Sequence, residues 1–250
     1  MDAKLAVVVM AAGKGTRMNN PSVAKVMYTI NERPLIDWVV DLATRLDSSR
    51  TVAVVGWQKE AVIAHLAGAF PSVVCVEQSP QLGTGHAVMQ AERELRSFAG
   101  EVLVLSGDVP MLTYGTTRAL IDGHRASGSA ATVLSAILDD ATGYGRIIRE
   151  PGGTVSGIVE QKDASEEQRA IREINSGIYV FDAGSLFEGL RHITTDNAQH
   201  EYYLTDVVRY LWRNKRRVSA VIADDPLEVG GINTPAQLED ARRILAGGGS

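Results

Sequence analysis

Cysteine is almost absent from this sequence, with one residue, Cys75, in 250. No intramolecular disulfide is possible, which suits a reducing cytoplasm. Inside the apolar run SVVCVEQ, Cys75 reads as a small buried hydrophobe. Positive charge is not in excess either. The 25 Lys and Arg stand against 30 Asp and Glu, a net charge of -5, which argues against a protein that coats nucleic acid. Long hydrophobic runs are missing. The stretch LAVVVM is far too short to span a bilayer, and it enters a glycine turn rather than a cleavage site. The five histidines (His65, His86, His124, His192, His200) show no zinc-ligand spacing. No GxxxxGK[ST] phosphate loop, internal repeat or long linker occurs. These absences point to a cytoplasmic globular protein with no membrane or nucleic-acid partner. With 45% hydrophobic and 22% charged residues, it can build a full core.

What is present is alternation. Strand-like runs at Leu5–Met10, Thr51–Val55, Val73–Val76, Val102–Leu105 and Ala131–Ile137 are separated by helix-like stretches. Among these are PLIDWVVDLATRL, EAVIAHLAGAF and GHAVMQAERELRSF. This order predicts an α/β fold, a Rossmann-like, mostly parallel sheet with helices on both faces. After about residue 140, GRIIREPGGTVSGIVE reads as a hairpin and INSGIYVFD as a strand. EYYLTDVVRYLWRNK and TPAQLEDARRIL read as helices around the strand VSAVIADD. The expected division is a domain over 1–233, with a nucleotide-binding part to about 140 and a hairpin-containing sugar-binding lobe over about 141–233. A helix and Gly/Ser tail fill 234–250.

The stretch LAVVVMAAGKGTRM breaks a strand into small residues, two glycines and two cations. Such a turn lets backbone N–H groups approach a phosphate, and the N-terminus of a following helix favours negative charge. The dinucleotide fingerprint fails, because Met18 stands at its third glycine and Gly56 where an acid should end the second strand. A glycine-rich turn alone is compatible with a purely structural role. Lys14, Arg17 and Lys25, close after it, suit a polyphosphate.

MAAGKGTRM followed by AKVMYTINERPLIDWVV resembles the nucleotidyltransferases that activate sugar 1-phosphates. The runs EQSPQLGTGHAV, VLSGDVPML, TGYGRIIRE, GIVEQKDASEEQRAIREINSGIY, NAQHEYYLTDVV and EVGGIN narrow the likeness. They resemble the uridyltransferase domain of the bacterial N-acetylglucosamine-1-phosphate uridyltransferases, from about Leu5 to Asn233. One departure is that Val23-Ala24 precedes Lys25 where the family usually has Leu-Pro; Pro21 lies slightly earlier.

The resemblance implies a nucleotide-diphospho-sugar transferase fold and attack by a sugar 1-phosphate on the α-phosphorus of UTP. It implies Mg²⁺ held by Asp108 and Asn233, with Arg17 and Lys25 as catalytic cations and Lys14 in support. Base recognition falls to Met10, Ala11, Ala12, Gly13, Gln78, Gly83 and Thr84, with Ser106, Gly107 and Asp108 at the strand end beside the substrate. Sugar recognition falls to Gly145, Glu160 and Asn175. The Gln78 amide can accept from uracil N3–H, but flipped it would suit cytosine, so Gln78 alone does not choose the base. His86, at a helix start with no partner in view, reads as structural. Glucose 1-phosphate or dTTP as substrates, or a non-catalytic regulatory relative, stay open as alternatives. Full-length members usually continue into a left-handed β-helix that acetylates and trimerises, written in hexapeptide repeats. None occurs here, so the expectation is no acetyl-CoA-dependent activity and a monomer or weak dimer.

Overall fold

The N-terminal run forms β1 (Leu5–Ala11), an interior strand with no exposed residue. Its parallel neighbours and the helices on both faces explain why it is apolar at nearly every position. Leu5, Val7, Val9 and Ala11 join one core cluster, and Ala6 and Val8 join the other. Each buried valine contributes roughly 2 kcal/mol through the apolar surface it removes from water.

The computed structural model describes residues 4–247, so the Gly/Ser tail from 248 onward lies outside the described residues. After β1 come a short ribbon, β2 (Thr29–Ile30) and β3 (Arg33–Pro34), then α1 (Leu35–Arg45), β4 (Arg50–Val55) and α2 (Lys59–Ala69). β5 (Val74–Glu77), α3 (Thr84–Met89), α4 (Glu92–Leu95), β6 (Glu101–Ser106), α5 (Tyr114–Ser127) and β7 (Ala131–Ile137) follow. The chain continues through β8 (Gly145–Arg149), β9 (Val155–Val159), α6 (Glu166–Arg169) and β10 (Glu173–Asp182). It closes with α7 (Ala183–Leu190), α8 (Thr205–Arg213), β11 (Val218–Ile222) and α9 (Pro235–Gly247).

The main sheet runs β11-β7-β10-β6-β1-β4-β5, with the β8–β9 hairpin attached to β10. β6, β1, β4 and β5 are mutually parallel and β11 is parallel to β7, while β10 runs antiparallel between β6 and β7. The mostly parallel α/β sheet and its hairpin therefore match the sequence reading, and β10 joins the later part of the chain to the same sheet. Helices α1, α2 and α5 cover one face through Ile36, Leu66 and Leu120. α3, α4, α7 and α8 cover the other through Val88, Leu95, Leu186 and Val207. A third, smaller cluster packs Leu238 and Ala241 of α9 onto Met18, Ile30 and Leu35. Among the described residues no helix is long and apolar enough to cross a membrane.

Several local readings change. GHAVMQAERELRSF forms two helices because the Gln90 side chain donates to the His86 carbonyl at 2.9 Å, where the Gln90 main-chain N–H would continue the first helix. That N–H turns to Ala87 instead. α8 starts only at Thr205, since the Tyr202 main chain is already bonded to Leu82 and Gly85. The opening turn leads into a single 3₁₀ turn, Thr16–Met18, not an α-helix, so no long helix dipole faces it. Cys75 is half-buried, because β5 is an edge strand.

Candidate active site

Because β1, β5 and β6 are parallel, the loops leaving them open on one edge of the sheet. They enclose a cleft of about 460 Å³. Met10, Ala11, Ala12, Gly13, Lys14, Lys25, Gln78, Gly83, Thr84, Ser106 and Asp108 all line it. An adjoining cavity of about 200 Å³ holds Gly145, Glu160 and Asn175, and Met10 and Thr84 belong to both. Sequence-proposed residues 165 positions apart thus come together at one edge, from Met10 to Asn175.

The loop after β1 is shaped by Gly15, whose φ of 60° favours glycine. A Cβ there would lie 2.7 Å from the Lys25 Cβ, so the close approach of the two segments also requires it. Ala24 has φ −60°, the value a proline ring imposes, so the Val23-Ala24 departure preserves the backbone path into Lys25. The loop is anchored from outside: Trp57 Nε1 and Gln58 Nε2 donate to the Pro21 carbonyl at 2.9 and 3.1 Å. Lys14 lies over the Trp57 ring, 5.6 Å from its centre.

At the end of β6, Ser106 Oγ donates to Asp108 Oδ1 at 2.6 Å, and the Ile232 N–H donates to the Asp108 carbonyl. The Lys25 ammonium donates to Asp108 Oδ2 and, at 3.0 Å, to Asn233 Oδ1. Asn233 is not the cap of α9. That role belongs to Thr234, whose hydroxyl accepts from Gln237 N–H at 3.2 Å. The Asn233 side chain is left free, and its Nδ2 donates to the Gly231 carbonyl, which turns Oδ1 toward the cation. Two hard oxygen donors therefore converge on one positive charge at the cleft. This donor set fits Mg²⁺, which takes one or two protein oxygens beside phosphates and water.

Three proposed residues stand apart from the lining. Asn233 reaches the cleft only through Lys25. Gly107 is buried beneath it, its N–H donating to the Met10 carbonyl at 2.9 Å. Arg17 is exposed, with no hydrogen-bond or ion-pair partner among the described residues. Its charge is felt at Tyr144, a lining residue of the smaller cavity. Burial pushes the Tyr144 phenol up, Asp108 adds to this, and Arg17 opposes it.

The smaller cavity lies where β10 departs from regular pairing. Its register with β7 shifts between Asn175 and Tyr179, around Gly177. Asn175 Oδ1 accepts from the Gly177 N–H at 3.1 Å. Burial holds the Glu160 carboxyl above its usual range, and Asp163, Asp206 and Glu201 reinforce this. The Thr205 hydroxyl, donating to Glu160 Oε1 at 3.1 Å, opposes the shift. Tyr179 is fully buried, and its phenol is pushed strongly upward, first by burial and then by Glu160. Sequence reasoning missed Tyr144, Tyr179 and Thr205 here, and Gln81 and Glu201 in the larger cleft. Each sits inside a run that carries the family likeness: Tyr144 in TGYGRIIRE, Tyr179 in IREINSGIY, Gln81 in EQSPQLGTGHAV, and Glu201 and Thr205 in NAQHEYYLTDVV.

The sequence matches the family described as Nucleotidyl transferase over residues 6–238. A Streptomyces coelicolor protein named Bifunctional protein GlmU is 50% identical over 242 residues, covering 96% of this chain and 50% of that protein. A protein of the same name from Pelobacter propionicus is 45% identical, covering 96% and 52%. The chain thus spans about half the length of the curated relatives it matches. The solved structure of a UDP-glucose pyrophosphorylase complexed with UDP-glucose superposes with a TM-score of 0.77. It covers 98% of this chain and 99% of its own, and at 17% identity the likeness is one of fold.

Proposed function

Since the chain belongs to the nucleotidyl transferase family, we propose that it transfers the uridylyl group of UTP to N-acetylglucosamine 1-phosphate, giving UDP-N-acetylglucosamine and pyrophosphate. The observation that carries this reading is the pair of cavities joined through Met10 and Thr84. One is lined by Lys14 and Lys25, and the other by Glu160 and Asn175. A nucleotide triphosphate in the first and a sugar in the second would meet at the end of β1. Residues up to about 140 would hold the nucleotide, and those over about 141–233 the sugar. The motifs EQSPQLGTGHAV and IREINSGIY favour uracil and an acetamido sugar. The lone cysteine and the acidic balance favour a cytoplasmic setting.

In this reaction a phosphate oxygen of the sugar 1-phosphate forms a bond to the α-phosphorus. The α–β bridging bond breaks, and its electron pair leaves with pyrophosphate. The nucleophile is already anionic, so no proton needs to be removed. The protein's work is alignment and neutralisation of charge. Arg17 is free to meet the phosphates at the mouth. Lys25 can do so by turning from Asp108 and Asn233 toward the triphosphate. Asp108 and Asn233 would hold Mg²⁺, which when bound would neutralise charge on the triphosphate. Glu160 would accept from sugar hydroxyls, and Asn175 would donate to the acetamido carbonyl.

A panel of nucleoside triphosphates crossed with sugar 1-phosphates, read out as pyrophosphate, tests the proposal. UTP with N-acetylglucosamine 1-phosphate should give the highest kcat/KM. A higher value with dTTP or with glucose 1-phosphate would replace it.

A further inference from the structure

The Gln78 amide is the one base-facing group whose two ends carry opposite hydrogen-bonding character, so which end faces the cleft matters. Gln78 is 3% exposed and follows β5, its main-chain N–H donating to the Val55 carbonyl at 2.8 Å. Its Nε2 donates to the Gly83 carbonyl at 2.9 Å. The other near neighbour of Nε2 is His86 Nδ1, at 3.2 Å. A carbonyl oxygen only accepts, so the amide end beside Gly83 must be the nitrogen. The imidazole nitrogen beside it must then accept as well, which places the ring proton on His86 Nε2. Burial, the larger influence, lowers the His86 pKa and favours the neutral imidazole, while the Pro80 carbonyl opposes that shift.

Both Nε2 hydrogens are thereby spent. Among the described residues no protein donor reaches Gln78 Oε1, yet that atom is not among the buried polar atoms lacking a partner. It is therefore open to the cleft that Gln78 lines. The frame around this arrangement is rigid. Gly83 has φ 106°, and a Cβ there would lie 2.6 Å from the Tyr202 carbonyl. The start of α3 is tied to the segment before α8 by Gly85 N–H to the Tyr202 carbonyl at 2.7 Å and Leu204 N–H to Thr84 Oγ1 at 3.0 Å.

We propose that His86 is a positioning residue that locks the Gln78 amide with Oε1 toward the base, selecting pyrimidines that carry an N3–H over cytosine. Uracil N3–H donates to Oε1, whereas cytosine N3 would bring a second acceptor against it. The inference rests on the reading that the nucleotide base sits at Gln78. His86 itself touches neither substrate nor the reacting atoms.

Three measurements test it together: kcat/KM for UTP and CTP, calorimetric affinity for each nucleotide, and the His86 tautomer by ¹⁵N NMR of the wild-type chain. The wild type should prefer UTP in turnover and in binding, with His86 protonated on Nε2. His86→Phe keeps a planar ring but removes one of the two groups that hold Nε2, leaving the Gly83 carbonyl alone to oppose rotation of the amide. The UTP/CTP ratio should narrow by about ten-fold or more. A purely structural role would lower both nucleotides together and leave the ratio unchanged, and that outcome overturns the proposal. An Nδ1–H tautomer in the wild type overturns it whether or not the variant folds. Equal binding of UTP and CTP by the wild type overturns it too. UTP-selective binding that narrows in His86→Phe, without turnover of any sugar 1-phosphate, would support the inference while rejecting the proposed reaction.

Discussion

Lys25 Nζ bridges Asp108 Oδ2 and Asn233 Oδ1, joining residues 83 and 208 positions away from it. The Lys25 and Asp108 side chains are 15% and 8% exposed, so the pair is largely shielded from water. The two acceptors proposed to hold a divalent cation are therefore held together by the protein's own ammonium. Binding of a metal ion at these two oxygens would require Lys25 to release them.

Lys25→Met should then have two opposite effects. If Lys25 serves the transition state as proposed, turnover should fall by about 10²-fold or more. Affinity for free Mn²⁺ without nucleotide, read by electron paramagnetic resonance, should rise about ten-fold once the competing ammonium is gone. Without metal the variant should lose on the order of 3 kcal/mol in denaturant unfolding, because Asp108 is left shielded and unpaired, and Mn²⁺ should restore much of it. Unchanged Mn²⁺ affinity would show that Lys25 does not compete for these oxygens.

Arg17→Ala should behave differently. Arg17 is exposed and makes no hydrogen bond or ion pair among the described residues, so Tm should not move. If the guanidinium serves the transition state, kcat and kcat/KM should both fall about 10²-fold. A rise in KM with kcat unchanged would recast Arg17 as a ground-state phosphate contact.

Glu160 supplies a pH test. Burial raises its pKa above the ordinary 4.5, so it stays protonated to a higher pH than an exposed glutamate. Only the ionised form accepts at both oxygens, so KM for the sugar 1-phosphate should fall as pH rises through that raised value. Glu160→Gln should lose this component while retaining the part due to the substrate's own phosphate. A carboxyl whose folded pKa lies above its unfolded one costs stability as pH rises from the unfolded value through the folded one. Glu160→Gln should therefore raise Tm at pH 7 more than at pH 4 while weakening sugar binding. Thermal unfolding at both pH values checks this.

Gly15→Ala tests the loop. The left-handed φ costs about 1 kcal/mol, and the added Cβ meets Lys25 at 2.7 Å. Calorimetry should show that loss, and kcat should fall further than Tm implies, since Lys25 is displaced. Wild-type turnover in this variant would show that the approach of the two segments is dispensable.

The sequence by itself determined the sheet and the edge at which chemistry is placed. β1 is apolar on both faces because parallel neighbours and two helical layers bury it, and periodicity reports burial directly. The glycine-rich turn, Gln78 and Asp108 all follow strands, so parallel order alone sends them to one edge. Tertiary structure decided which polar atoms meet. The Gln78 amide has two orientations in sequence and one in the fold, because the Gly83 carbonyl can only accept from the end that also faces His86 Nδ1. Thr234 caps α9, and that leaves the Asn233 oxygen to Lys25. The surroundings of Tyr179, in the smaller cavity, were illegible for the same reason. Tyr179 lies on β10, and its surroundings come from an antiparallel insertion between β6 and β7 that carries no local periodic signature. Hydrophobic patterning records which side of an element faces the core, whereas hydrogen-bond partners far apart in sequence depend on strand order and loop path.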